Sequence, residues 1–246
     1  GHAMLERLEN LSALYANPHR FMNLAARLHD PLWLVAVGVL GFGLFMVAGV
    51  PNDYQQGATV RIMFVHVPAA WMALFTYSFI FFASIVALVL RHPLGYLAAR
   101  AAAPVGAVFT LVALVTGALW GQPMWGTWWV WDARLTSVLV LLFIYLGYIA
   151  LWEAIDDYGR AARATSILAV VGFVNVPIVK FSVDWWNTLH QPASVSRFAR
   201  PALHADFLYP LLVMGVAFLL LFLAITLTRL QMEVLRQRLR VRQSEG

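Results

Sequence analysis

Six stretches of this sequence run for 18 to 29 residues with almost no charge: 31–50, 62–90, 101–119, 135–152, 164–183 and 207–228. A hydrocarbon core about 30 Å thick is crossed by roughly 20 apolar residues in a helix. Inside it, every backbone N–H and C=O must be satisfied without water, which leaves a single segment only the α-helix. The spacing therefore predicts an all-α polytopic membrane protein, a bundle of six transmembrane helices. Composition agrees: 61% of the residues are hydrophobic and 12% are charged, whereas soluble domains carry about 45–50% and about 25%. The second run, at 1.5 Å per residue, spans about 43 Å and must tilt or project from the bilayer. Pro68 near its start is tolerated there or marks a kink.

The 17 Lys and Arg residues set the orientation. With the N-terminus cytoplasmic, the inner segments hold Arg7, Arg20, Arg27, Arg91, Arg100, Arg160, Arg163, Arg229, Arg236, Arg238, Arg240 and Arg242. The outer ends and loops hold only Arg61, Arg134, Lys180, Arg197 and Arg200. Positive charge collects on the cytoplasmic side, so both termini are expected inside, and the loops near 51–61, 120–134 and 184–206 face outward. The net charge of +5 then serves orientation, and no nucleic-acid partner is implied. Residues 1–4, Gly-His-Ala-Met, read as the remnant of a cleaved tag. Residues 5–30 form an arm that lies on the inner surface or is solvated. Residues 31–228 form the membrane domain, and 229–246 a basic cytoplasmic tail.

One outer loop is unusual. "WGQPMWGTWWVWDARLTS", residues 120–137, places Trp120, Trp125, Trp128, Trp129 and Trp131 within twelve residues, followed by Asp132 and Arg134. Tryptophan gathers at membrane interfaces, but a belt populates both faces. Here Trp185 and Trp186 join the outer five, and only Trp33 and Trp152 mark inner ends. An aromatic platform for a flat ligand and an interfacial belt both remain readings. Gly121, Pro123 and Gly126 allow turns or close approach, and the chain after Trp125 can form a short surface helix. Asp132 caps the fourth span or belongs to the site; Arg134 pairs with it or faces an anion.

Two histidines flank this loop at the same face. His66 lies about 7 Å below the outer end of the second span by helical rise, and His190 lies in the last outer loop. Each is readable as an ordinary hydrogen-bonded side chain. Neutral imidazole also ligates iron, so the pair admits a porphyrin iron held from opposite faces, with Arg61 and Arg134 toward its propionates. His204 is the alternative ligand. Asn175 and Pro177 in the fifth span bond a neighbouring helix or mark a bend. The chain has no cysteine, which excludes disulfides, thiolate ligation and a CxxCH haem attachment. No Gly-rich phosphate loop occurs.

These residues carry a resemblance. The tryptophan-rich stretch looks like the WWD signature of haem-handling proteins. With "HVPAAW" before it, "WWNTLHQ" after it and six spans, residues 31–228 resemble the haem exporter protein C family of cytochrome c maturation system I. The resemblance implies haem b bound transiently at the periplasmic face of the bacterial inner membrane. His66 and His190 would be its axial ligands, the WWD loop would lie against the porphyrin, and Arg61 and Arg134 would influence handling or release. It implies presentation of haem to a periplasmic haem chaperone for covalent attachment. The implied partners are ABC transporter membrane and ATPase subunits and a small single-span subunit, within membrane lipid. Any ATP hydrolysis then belongs to a partner, and the chain is a carrier or part of a ligase complex rather than an autonomous enzyme. The rival readings are a bis-His electron-transfer cytochrome, a transmembrane haem transporter and a structural subunit with an aromatic belt.

Overall fold

The computed structural model describes residues 2–6, 17–185 and 204–246. Among them, seven long helices account for nearly all regular structure. Helix α1 (Pro18–Ala48) starts where Asn17 accepts a hydrogen bond from the His19 N–H at 3.0 Å and Pro18 occupies the first turn. A short 3-10 turn (Ala58–Ile62) feeds α2 (Met63–Leu90). Arg91 takes a left-handed conformation with φ +49°. His92, preceding a proline, is extended, because the proline ring disfavours helix in the residue before it. Pro93 then opens α3 (Pro93–Trp125). Helix α4 (Ala133–Ala154) is capped by Asp132, and α5 (Tyr158–Gly172) by Asp157. A turn at Phe173–Val174 separates α5 from α6 (Asn175–Trp185), and α7 runs over Ala205–Ser244.

Among the described residues, six helical segments are long and apolar enough to cross a membrane, the fifth being the bent α5–α6 pair. The chain is thus a multi-pass membrane protein, as the hydropathy pattern predicts. Pro177 accounts for the bend, since it lacks the N–H that would bond the Phe173 carbonyl and its ring crowds that group. The Asn175 side-chain N–H donates to the Ser137 carbonyl at 2.9 Å and ties α6 to α4. Three helices reach well past the spans read from hydropathy, α3 (Pro93–Trp125 against 101–119) among them. Helix α1 continues upstream through Pro31 to Pro18. Helix α7 has 40 residues, about 60 Å of helix against a core of about 30 Å, and therefore projects at its arginine-rich end.

Helix α3 is the spine, packing against α2, α4 and α7. More than half of its buried residues are alanine or glycine, among them Ala99, Ala102, Ala103, Gly106 and Ala113. Small residues let helix backbones approach closely where lipid supplies no hydrophobic drive. Gly106 lies directly under the Tyr145 ring, so any Cβ there would overlap it. The Tyr145 hydroxyl donates to the Ala73 carbonyl at 2.6 Å, and the Tyr77 hydroxyl to Ala169 at 2.8 Å. The two rings meet edge to face at 5.5 Å, joining α2, α3, α4 and α5.

At the other end of α3, Arg100 is buried among opposite charges. Its guanidinium lies 3.2 Å from Glu153 and 3.6 Å from Glu233, and 4.6 Å over the Trp152 ring. Glu233, itself buried, also meets Arg236 at 3.4 Å, and Arg229 donates to the Ala101 carbonyl at 2.8 Å. A buried charge without a partner is strongly destabilising, so this cluster sets where α7 docks.

Gly106→Ala is expected to destabilise the detergent-solubilised protein more than Tyr145→Phe. The first forces the Tyr145 ring out of place, an overpacking cost of about 1–3 kcal/mol. The second removes one hydrogen bond, about 1 kcal/mol, and leaves Ala73 O within its own helix. Thermal melts of the two variants check the order.

Candidate functional site

The site is built where α2 begins and α3 ends, beside the tryptophan-rich connection. His66 sits in the first turn of α2, four residues beyond the 3-10 turn. Its half-buried ring leans on α3, with Nδ1 2.9 Å from the Ala113 carbonyl and 3.1 Å from Thr116 Oγ1. A carbonyl only accepts, and the Thr116 hydroxyl already donates to the Val112 carbonyl at 2.6 Å. Nδ1 must therefore carry a proton, so that in the neutral imidazole the lone pair lies on Nε2. Such a carbonyl partner also fixes the ring's orientation.

Two glycines one helical turn apart make room. A Cβ on Gly117 would meet His66 Cε1 at 3.0 Å, and one on Gly121 would meet the Trp125 ring at 3.1 Å. Trp120, between them in sequence, stands edge-on to His66 with ring centroids 5.8 Å apart. Its indole N–H donates to Gln56 Oε1 at 2.9 Å.

The tryptophan stretch divides between helix and loop. Trp120 and Trp125 belong to the last turns of α3, which runs through Pro123 and stops at Gly126, φ +74°. A left-handed glycine after the last turn is a common helix stop, and its N–H returns to the Gln122 carbonyl at 2.9 Å. The loop predicted from residue 120 therefore begins six residues later, and residues 126–132 are irregular rather than a short surface helix. Within them the Thr127 hydroxyl donates to the Trp129 carbonyl at 3.0 Å. The Trp129 and Trp131 rings meet edge to face at 5.4 Å. Asp132 closes the segment by accepting the Leu135 N–H at 2.8 Å as the cap of α4. A carboxylate is a good acceptor at a helix start.

An opening lies between this connection and α3, lined by Gly117, Gly121, Trp125, Trp128, Trp129 and Asp132. Trp128 is 57% exposed and Trp131 73%, so neither is held in a protein core. The Trp129 indole N–H is buried and has no hydrogen-bond partner among the described residues.

Of the residues singled out in the sequence, His66, Trp120 and Trp125 come together on α2 and α3. Trp128, Trp129 and Asp132 line the opening, and the exposed Trp131 meets the Trp129 ring edge-on. Arg134 is half-buried in the first turn of α4. Arg61 is committed to the connection before it, donating to Asn52 Oδ1 at 2.9 Å and to the Val50 carbonyl at 2.5 Å. His190 lies outside the described residues, with Trp186. His204 caps α7, its ring nitrogen accepting the Asp206 N–H at 3.2 Å. Sequence reasoning missed Thr116, Gly117 and Gln56. The four-residue spacing of Gly117 and Gly121 ahead of the tryptophans was the available signal for a close approach on one helix face.

A family model described as Heme exporter protein C matches residues 11–245. The chain belongs to the Heme exporter protein C family. A relative of that name from Bradyrhizobium diazoefficiens is 57% identical over 225 residues, covering 92% of this chain and 86% of its own. One from Paracoccus denitrificans is 48% identical, covering 92% of this chain and 94% of its own. One from Escherichia coli K12 is 50% identical, covering 78% and 76%. Family membership thus takes in all six spans, the connection bearing Gln56 and Arg61, and the tryptophan-rich segment alike.

The Gly117 contact yields a direct expectation for this Heme exporter protein C family member. Gly117→Val should push His66 off the Ala113 carbonyl. In the wild type, 15N shifts of labelled histidine should report a protonated Nδ1. In Gly117→Val that signature should be lost or mixed with the Nε2-protonated form.

Proposed function

We propose that this chain holds haem as cargo at the membrane face bearing the tryptophan-rich connection, and hands it on during maturation of c-type cytochromes. The names of its relatives support haem export as the setting. The observation that carries the reading is His66, held by Ala113 and Thr116 so that its ligating lone pair lies on Nε2. It stands beside an aromatic opening with two outward-exposed indoles. Haem iron is commonly taken by neutral imidazole, and His190 is the proposed second axial ligand. Trp120 and Trp125 back the site, Trp128, Trp129 and Trp131 cover the porphyrin, and Asp132 anchors the cover to α4. The buried Trp129 N–H, which lacks a protein partner among the described residues, would be satisfied by an acceptor on the cargo. Arg134 and Arg61 are the proposed cations toward its propionates, Arg61 after exchanging a loop contact.

The excess of Arg at the opposite end of the bundle supports a cytoplasmic placement for both termini. The site then faces the periplasm of a bacterial inner membrane. There a periplasmic haem chaperone would receive the cargo, which binds as haem b. An ABC transporter's membrane and ATPase subunits and a small single-span subunit are the proposed neighbours in the complex. Passage of haem through the bundle is a weaker reading, because Asn175, the evident polar group inside a span, is engaged in fastening α6 to α4.

The test is haem binding by purified protein followed by absorption spectroscopy, alone and with the chaperone. His66→Ala is expected to lose the low-spin bis-imidazole spectrum and to retain haem at least about tenfold less well, comparable to the larger effects of altering a metal's surroundings. Unchanged spectra in both His66→Ala and His190→Ala would overturn the axial assignment. Trp128→Ala with Trp129→Ala should lower haem retention or transfer to the chaperone while leaving the thermal midpoint close to wild type. A matching loss of folded protein would instead mark these indoles as packing.

A further inference from the structure

The connection between α1 and α2 is folded tightly enough to act as a fixed base. Asp53 and Gly57 exchange backbone hydrogen bonds at 3.2 and 2.8 Å. Asp53 Oδ2 accepts the N–H groups of Gln55 and Gln56 at 3.0 and 2.9 Å. Gly57 has φ +60° and ψ −138°, a combination that strongly favours glycine. The Thr59 hydroxyl donates to the Gln56 carbonyl at 2.6 Å, so both main-chain polar groups of Gln56 are engaged. Arg61 ties the start of the same connection through Val50 and Asn52.

From this base the Gln56 side chain reaches the Trp120 indole N–H. An indole N–H only donates, so the amide must present its oxygen. Trp120 in turn stands edge-on to His66, on a ring otherwise gripped by Ala113 and Thr116 at Nδ1. The Nδ1 bonds fix which atom faces out, and the indole limits how far the ring turns about them. We infer that Gln56 is a positioning residue for His66. By fixing the Trp120 indole it sets the plane of the imidazole, and through it the orientation of that ligand plane on haem iron. The last clause rests on the haem reading proposed above; the first does not.

The experiment therefore has a haem-free arm and a haem-loaded arm, each on the full-length protein in detergent. Gln56→Leu removes the acceptor at similar size, Gln56→Glu keeps an acceptor oxygen, and Trp120→Phe keeps a ring but removes the donor. Without haem, ring 15N and proton shifts of His66 should move in Gln56→Leu and return toward wild type in Gln56→Glu. With haem, Gln56→Leu should shift the low-spin ferric electron paramagnetic resonance g values. It should also speed haem dissociation about fivefold to tenfold, the scale of one lost hydrogen bond. The double variant Gln56→Leu/Trp120→Phe should be no worse than Trp120→Phe alone, because coupled residues do not add.

Wild-type His66 shifts in folded Gln56→Leu would overturn the inference, as would full additivity in the double variant. Should Gln56→Leu not fold, Trp120→Phe decides by the same readouts: unchanged His66 shifts and haem dissociation overturn the inference. A haem spectrum indifferent to His66→Ala would instead refute His66 as an axial ligand and leave the haem-free arm to judge the brace by itself.

Discussion

In hydrocarbon, a helix has one polar feature to offer a neighbour's side chain: the second lone pair of a backbone carbonyl. Among the described residues, five contacts between elements use it. Tyr145 donates to Ala73, Tyr77 to Ala169, Asn175 to Ser137, Arg229 to Ala101, and His66 to Ala113. Every acceptor belongs to alanine or serine. A bulkier residue would hold the helices apart, and the donor would not reach. The small-residue faces of α2, α3 and α5 thus do two things at once. They allow close packing, and they make carbonyls reachable to polar side chains that lipid cannot solvate.

Helix α3 carries this arrangement from one end of the bundle to the other. Near its start, Ala101 accepts from Arg229 while Arg100 is buried against Glu153 and Glu233, locking the projecting α7 to the bundle. In the middle, Gly106 admits the Tyr145 ring. Near its end, Ala113, Thr116 and Gly117 shape the seat of His66. A ligand whose orientation matters is best placed on rigid elements with supporting hydrogen bonds. His66 meets that condition because it is held by a helix whose other contacts are already fixed.

Local features were legible in the sequence, and features joining distant segments were not. The six spans follow from hydropathy, since the bilayer imposes length on each segment separately. The capping role of Asp132 and the bend set by Pro177 were among the readings available from residue type and position. The length of α3 was not, because tryptophan, glycine and proline after residue 119 resemble a loop. Within an apolar span the helix continues until a residue can leave it, and Gly126 is that residue. Arg100 reads as an orientation charge, and only the fold brings Glu233 to it across 133 positions. Gln56 has no local signature at all; its importance comes from Trp120, 64 residues away.

The proposed cover of the site differs physically from its seat. The seat is helix on helix. The cover, residues 126–132, is pinned at both ends, by the left-handed turn at Gly126 and by the Asp132 cap. Between those pins its described hydrogen bonds are short-range ones, Thr127 with Trp129 and Asp132 with Val130, and Trp128 and Trp131 lie largely in the open. Segments with few backbone bonds and exposed side chains open at lower free energy than packed helices. A carrier must keep its cargo oriented yet release it. On the haem reading, orientation would reside in His66 and its braces, and release in movement of the indoles, so weakening the cover should lower haem retention without disturbing the ligand plane.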